Sequence, residues 1–187
     1  MTRAVNWSDE LLGQLQYHWD NLFRPRLDGL TDDEYLWEPA PDAWTIRPRG
    51  STSSAKIAGG SGDFVIDFEF PEPVPAPVTT IAWRLGHIIV GVLAVRTADH
   101  FSGPHADYES WVYAGTADEA LRQLETAYDG WVAGVRALDD DDLARPCGPA
   151  EGPYADAPLA KLILHINREM IHHGAEIALL RDLYLRT

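Results

Sequence analysis

The sequence predicts an all-α protein, an antiparallel four-helix bundle in which a long loop with a short strand connects the first two helices. Apolar residues recur at helical spacing in four long segments, and segments rich in polar residues, proline or glycine separate them. Only one segment alternates with the period of two that is typical of a strand. With 187 residues, 45% of them hydrophobic, the chain is long enough to bury a core, and we expect one domain over residues 1–187.

The first helix is predicted to begin near Ser8, a possible N-cap, and to end at Pro25 and Gly29. Its apolar positions are Leu11, Leu12, Leu15, Trp19, Leu22 and Phe23. The segment Thr31–Glu34 then resembles a capping box and predicts a short helical turn, which Pro39 ends.

A long connection follows from Trp44 to Val78 and is rich in serine, glycine and proline. Within it, residues 64–70 alternate in a way that predicts a small strand or an extended flap. Long loops in compact domains are uncommon and tend to be functional when ordered, so we expect this one to cover one end of the bundle. The alternative is a mobile insertion.

The second helix is predicted to begin at Thr79 or Thr80, either of which could cap it, and to run to about Phe101. Its apolar positions are Ile81, Leu85, Ile88, Ile89, Val92 and Val95. His87 interrupts this pattern. A single histidine on such a face is more often a hydrogen-bonded core residue than a metal ligand, so its role depends on what a neighbouring helix brings to it.

The third and fourth helices are also indicated by local signals. The capping box Thr116–Glu119 begins a helix that reaches Leu138, and the acidic run 139–142 is interpreted as a solvated turn. Pro158 opens the last helix, which continues to about Tyr184.

The segment Leu164–His173 of the last helix contains three histidines and one glutamate. Residues four apart lie on one helical face, about 6 Å apart along the axis, so Glu169 and His173 could hold one ion together. His165 continues this stripe one turn earlier. His172 points about 100° away from His173.

A metal centre needs a ligand from a second element, and His87 is the best candidate. Two histidines and one carboxylate leave coordination positions open, which is typical of catalytic rather than closed structural sites. We therefore predict a metal centre formed by His87, Glu169 and His173. The alternative is that the Glu169–His173 pair is an ordinary surface contact.

Three stretches resemble the DinB-like superfamily of metal-binding four-helix bundles: Trp83–Ile88, Asn167–Ile177 and Asp42–Pro48. The resemblance covers most of the chain except about residues 50–77. Many such proteins carry a His-x-x-x-His pair on the last helix, whereas Glu169 and His173 are similar to the metal helix of mycothiol-dependent maleylpyruvate isomerase. If the register is one residue out, His172 replaces His173.

This resemblance implies a divalent metal, with zinc expected and nickel as the alternative. It also implies a thiol transferase or isomerase that uses a low-molecular-weight thiol such as mycothiol or bacillithiol, and a homodimer. The rival hypothesis is a non-catalytic stress-response or small-molecule-binding module whose metal is structural or absent.

Composition limits the partners. The formal net charge of −14 should repel nucleic acid and anionic membranes, and no run approaches the roughly 18 continuous apolar residues of a membrane span. The single cysteine, Cys147, excludes an intrachain disulfide and is interpreted as a bystander. We expect a cytoplasmic protein with a small-molecule substrate. His100 and His105, near the end of helix two, are expected to be exposed to solvent.

Overall fold

The computed structural model describes residues 5–187, which form a helical protein with one small β-sheet. The helices are α1 (Trp7–His18), α2 (Asp32–Tyr35), α3 (Ile81–His87), α4 (Val95–Phe101), α5 (Ala117–Arg136), α6 (Asp140–Ala144) and α7 (Leu159–Tyr184). The strands are β1 (Ile46–Pro48), β2 (Ile57–Gly59) and β3 (Phe64–Phe68). α1 packs against α5 and α7, and the helical segment that contains α3 and α4 packs against the same two helices.

The start of α1 differs from the prediction. Asn6, not Ser8, caps it, because the Asn6 side chain accepts a hydrogen bond from a first-turn amide at 3.3 Å. Ser8 is already helical, and its hydroxyl donates to a backbone carbonyl after α5 at 2.7 Å. Beyond α1, helical structure continues through a π turn (Trp19–Phe23) and a 3-10 turn (Arg24–Leu27). It therefore ends near Pro25 and Gly29, as predicted.

The insertion is a three-stranded antiparallel sheet in the order β1–β3–β2. The sequence predicts only β3, because β1 and β2 have three residues each, too few to show an alternating pattern. Three consecutive residues of β3, Val65, Ile66 and Asp67, are buried, so this strand is covered on both faces.

Asp67 anchors this sheet, although the alternating pattern suggests a solvent-facing side chain. It is fully buried, and its carboxylate accepts hydrogen bonds from the Thr45 amide at 3.0 Å, the Arg47 Nε at 3.0 Å and the Ser53 hydroxyl at 2.6 Å. The Trp83 indole donates to the Asp67 backbone carbonyl at 2.8 Å. Asp67 therefore also connects the sheet to α3.

Residues Ile81–Phe101 form one continuous helical segment, in which a π-helical stretch (Ile88–Ala94) joins α3 to α4. Of the two candidate caps, Thr80 is used: its hydroxyl accepts from a first-turn amide at 3.1 Å. By length and composition this segment could cross a membrane, although its sequence is not a continuous apolar run. Half of its apolar window is buried inside the protein.

A capping box consists of two hydrogen bonds, and in α5 the one made by the N-cap side chain is confirmed. The Thr116 hydroxyl accepts a hydrogen bond from the backbone at 3.4 Å. The interpretation of residues 139–142 as a plain turn is wrong. Asp139 and Asp142 cap each other's backbone amides and begin α6. α7 then runs for 26 residues from directly after Pro158.

Candidate metal centre

The structure brings the three predicted ligands together. His87 ends α3 and faces His173 of α7, with ring centroids 4.8 Å apart and perpendicular planes. The Glu169 Oε2 lies 3.3 Å from the His173 Nε2, and one donor atom from each of the three residues lies within 4.8 Å of the others.

This donor set fits a divalent ion. With metal–ligand bonds of about 2.0–2.1 Å, two ligands of a tetrahedral ion lie about 3.3 Å apart, which matches the measured distance between Glu169 and His173. The donor atoms of the three residues are at most 4.8 Å apart, so small side-chain rotations would bring them all to a shared ion. Nitrogen and carboxylate oxygen are donors that zinc accepts.

Glu176 fixes the orientation of His173. Its Oε2 lies 2.7 Å from the His173 Nδ1, which can donate to it and leave the Nε2 lone pair directed at Glu169. Arg84 holds Glu176 in place through an ion pair at 3.1 Å. A carboxylate behind a histidine ligand sets the ring tautomer and raises its basicity as a ligand.

Tyr108 orients the ring of His87, as Glu176 orients that of His173. Its hydroxyl oxygen lies 2.7 Å from the His87 Nδ1 and can accept a hydrogen bond from the Nδ1–H group, which leaves Nε2 free for an ion. The hydroxyl reaches this position only because residue 91 is glycine: a Cβ at Gly91 would lie 1.9 Å from the Tyr108 oxygen.

We expect Tyr108→Phe to weaken zinc affinity about tenfold, because loss of such an outer hydrogen bond lets the ligand ring rotate. Competition with a chromogenic chelator measures the change. Tyr17→Phe, at an exposed tyrosine on α1, is the matched control and should keep the wild-type affinity. An unchanged affinity in Tyr108→Phe would show that His87 needs no such support.

The electrostatics favour a neutral His87 and an ionised Glu169, the forms that bind metal. Burial, with smaller contributions from the nearby His173 and Arg84, lowers the pKa of His87 to about 4. For Glu169, partial burial alone would raise the pKa, but His165 and His173 outweigh it and the net shift is downward.

His172 is not part of this set. Its side chain is 62% exposed, and it approaches Glu176 at 3.5 Å. His172, His173 and Glu176 do form a second group within 4.8 Å of one another. The carboxylate of this second group, Glu176, is already engaged by Arg84, and His172 is exposed, so the set with His87 is the better candidate.

An aromatic wall borders the centre on the side of the sheet. Trp83 stacks on His87 with ring centroids 5.4 Å apart, and Trp44 lies 6.3 Å from Trp83. Phe68 of β3 lies 6.2 Å from Tyr108. Trp111 does not belong to this wall and lines a different cavity of about 360 Å³.

On its other side the centre opens into a cavity of about 380 Å³. His87 and Glu169 line this cavity together with Gly91, Arg96 and His165. His165, one turn before Glu169 on α7, therefore faces the same cavity. The cavity leaves space for a small molecule beside the donor atoms.

A family model of the DinB superfamily matches residues 65–177, more than half of the chain. The chain belongs to this superfamily. The matched range of this DinB-superfamily protein includes all but the first residue of β3 and all three candidate ligands. The comparison with curated proteins found no match, and neither did the comparison with solved structures.

Sequence reasoning missed Glu176, Tyr108 and Gly91. Glu176 follows His173 by three residues on one helix, a spacing that could have revealed it. Tyr108 lies in a loop, and nothing in the sequence connects it with His87.

The expectation that His100 is exposed is wrong, because its side chain is only 3% exposed and its Nε2 lies 2.9 Å from a carboxylate oxygen of Glu151. His105, with a side chain 81% exposed, is solvent-facing as expected. Cys147 is buried, and burial raises the pKa of its thiol, which fits an unreactive residue.

Proposed function

We propose that this protein binds one divalent metal ion through His87, Glu169 and His173 and acts as a thiol transferase or isomerase with a low-molecular-weight thiol. Zinc is the expected ion, with nickel as the alternative. The observation that carries the proposal is the convergence of two imidazoles and one carboxylate, from two helices, beside an open cavity of about 380 Å³. We further propose that the four long helical segments form an antiparallel bundle around this centre, in a cytoplasmic homodimer.

The chain's own residues have defined roles in this proposal. Glu176 and Tyr108 orient the ligand rings, and the cavity receives the thiol and its small-molecule partner. A bound divalent ion would supply a positive charge that ionises a coordinated thiol to its nucleophilic form. The aromatic wall of Trp83 and Tyr108 limits access of water from the side of the sheet.

The first test is the metal content of untagged protein, which should be about one equivalent per chain. The second is the addition of mycothiol or bacillithiol to protein loaded with cobalt(II), where a thiolate-to-cobalt absorption band should appear. Protein that retains cobalt but develops no band with any thiol would be a binding module with a structural metal. Protein that retains no divalent ion would overturn the proposal.

A further inference from the structure

A second and larger cavity, of about 770 Å³, adjoins the metal cavity. The two share Arg96 and His165 in their walls. The second cavity lies between the end of the segment that carries His87, the first turns of α7 and the loop around residues 147–157. A ligand in the metal cavity could therefore extend into it past these shared residues.

The second cavity is cationic in a protein whose formal net charge is −14. Arg96, Lys161 and Arg168 line it, and Glu151 is the one carboxylate in its wall. Glu151 is already engaged by Arg96 at 3.4 Å and by His100 at 2.9 Å. The net charge of the cavity wall is thus positive.

Two of these cations have hydrogen-bonding capacity to spare. Lys161 forms no ion pair within residues 5–187, and its ammonium lies 5.7 Å from the ring of Tyr154. The Arg96 Nε is buried and has no hydrogen-bond partner in the described part of the chain. A buried donor without a partner is costly, so the arginine favours an anion nearby, and the exposed lysine is free to bind the same anion.

The distance from the metal centre to these cations follows from helix geometry. Lys161, His165 and Glu169 lie on successive turns of one face of α7, so Lys161 is about 12 Å along the axis from the ligand Glu169. Arg96 follows His87 by nine residues on the facing helical segment and reaches the same cavity. Both helices therefore lead from the metal centre to the cations.

We propose that the second cavity binds the carboxylate end of an elongated small molecule whose other end occupies the metal centre. This inference rests on the proposed function and adds the class of ligand to it: a thiol that carries a carboxylate about 12 Å from its sulfur. The apolar wall, which includes Leu162 and Tyr154, suits an uncharged middle part. Arg96 and Lys161 would be the residues that select the anion.

The test uses the full chain loaded with cobalt(II) and compares 8-mercaptooctanoate with the neutral thiol 8-mercapto-1-octanol of the same length. The thiolate-to-cobalt band reports the binding of both. We expect the carboxylate probe to bind roughly tenfold more tightly than the neutral one, and Lys161→Glu to remove this preference. The short probe 3-mercaptopropionate, which cannot span the distance, should show no effect of Lys161→Glu.

Lys161→Glu is expected to fold, because Lys161 is exposed and lies in the first turn of α7, where a carboxylate is favourable. Lys161→Arg should keep the preference, and Arg136→Glu, at an exposed arginine of α5, is the control for net charge. Equal affinities for the two long probes, or equal effects of Lys161→Glu and Arg136→Glu, would overturn the inference. The thiolate-to-cobalt band would still support the proposed metal centre in that case. Absence of cobalt binding would overturn both proposals.

Discussion

Glu169→Gln is expected to lower zinc affinity by more than about a hundredfold. Loss of an outer hydrogen-bonding partner of a ligand already costs about 10- to 100-fold, and Gln removes the negative charge of a ligand itself. The substitution conserves the shape of a side chain that is 22% exposed, so we expect the metal-free protein to keep its free energy of unfolding within about 1 kcal/mol. Zinc content after gel filtration and competition with a chelator measure the affinity, and urea denaturation measures the stability.

His87→Gln should show the same loss of zinc, although this side chain is more buried and the variant will be less stable. His172→Ala is the informative control, because it alters the neighbour of His173 without touching the proposed set. It should retain zinc. Loss of zinc in His172→Ala together with retention in Glu169→Gln would assign the ion to the group of His172, His173 and Glu176 instead.

The four long helical segments were predictable because their signals are local. Apolar spacing and the threonine caps at Thr80 and Thr116 lie within a few residues of the structure they specify. The smaller elements were not predictable in the same way. β1 exists only because it pairs with β3 across some twenty residues, as in the pairing of Ile46 with Ile66, and no pattern within three residues indicates such a partner.

The residues of the candidate site differ in the same way: some are indicated by local sequence signals, and others only by tertiary structure. Glu169 and His173 form a pair within one helix, and their spacing alone indicates a shared face. His87 could be added only by assuming that two helices pack together, and the resemblance to a known superfamily supported that assumption. Tyr108 becomes close to His87 through tertiary structure alone. The burial of His100 was not predicted for the same reason, since its partner Glu151 comes from the distant 3-10 turn Pro149–Tyr154.

Asp67→Ala is expected to lower the free energy of unfolding by about 3–5 kcal/mol, because it leaves the partly buried Arg47 guanidinium without its counter-ion. The Thr45 amide and the Ser53 hydroxyl lose their acceptor as well. The midpoint of urea denaturation of the metal-free protein measures the change. Asp63→Ala, at an exposed aspartate directly before β3, should stay within about 0.5 kcal/mol of wild type. Equal midpoints for the two variants would show that Asp67 does not anchor the sheet.

The stabilisation of each variant by zinc distinguishes two possible roles of the sheet. The sheet either stabilises the fold alone or also positions the metal centre. A ligand that binds only the folded state stabilises it by an amount set by its dissociation constant. If the sheet acts on stability alone, saturating zinc raises the free energy of unfolding of wild type and Asp67→Ala equally. The Trp83 indole, however, bonds to the Asp67 carbonyl and stacks on His87, so a displaced strand would release the ligand ring. We therefore expect a smaller gain from zinc in Asp67→Ala, and equal gains would show that the insertion and the centre are independent.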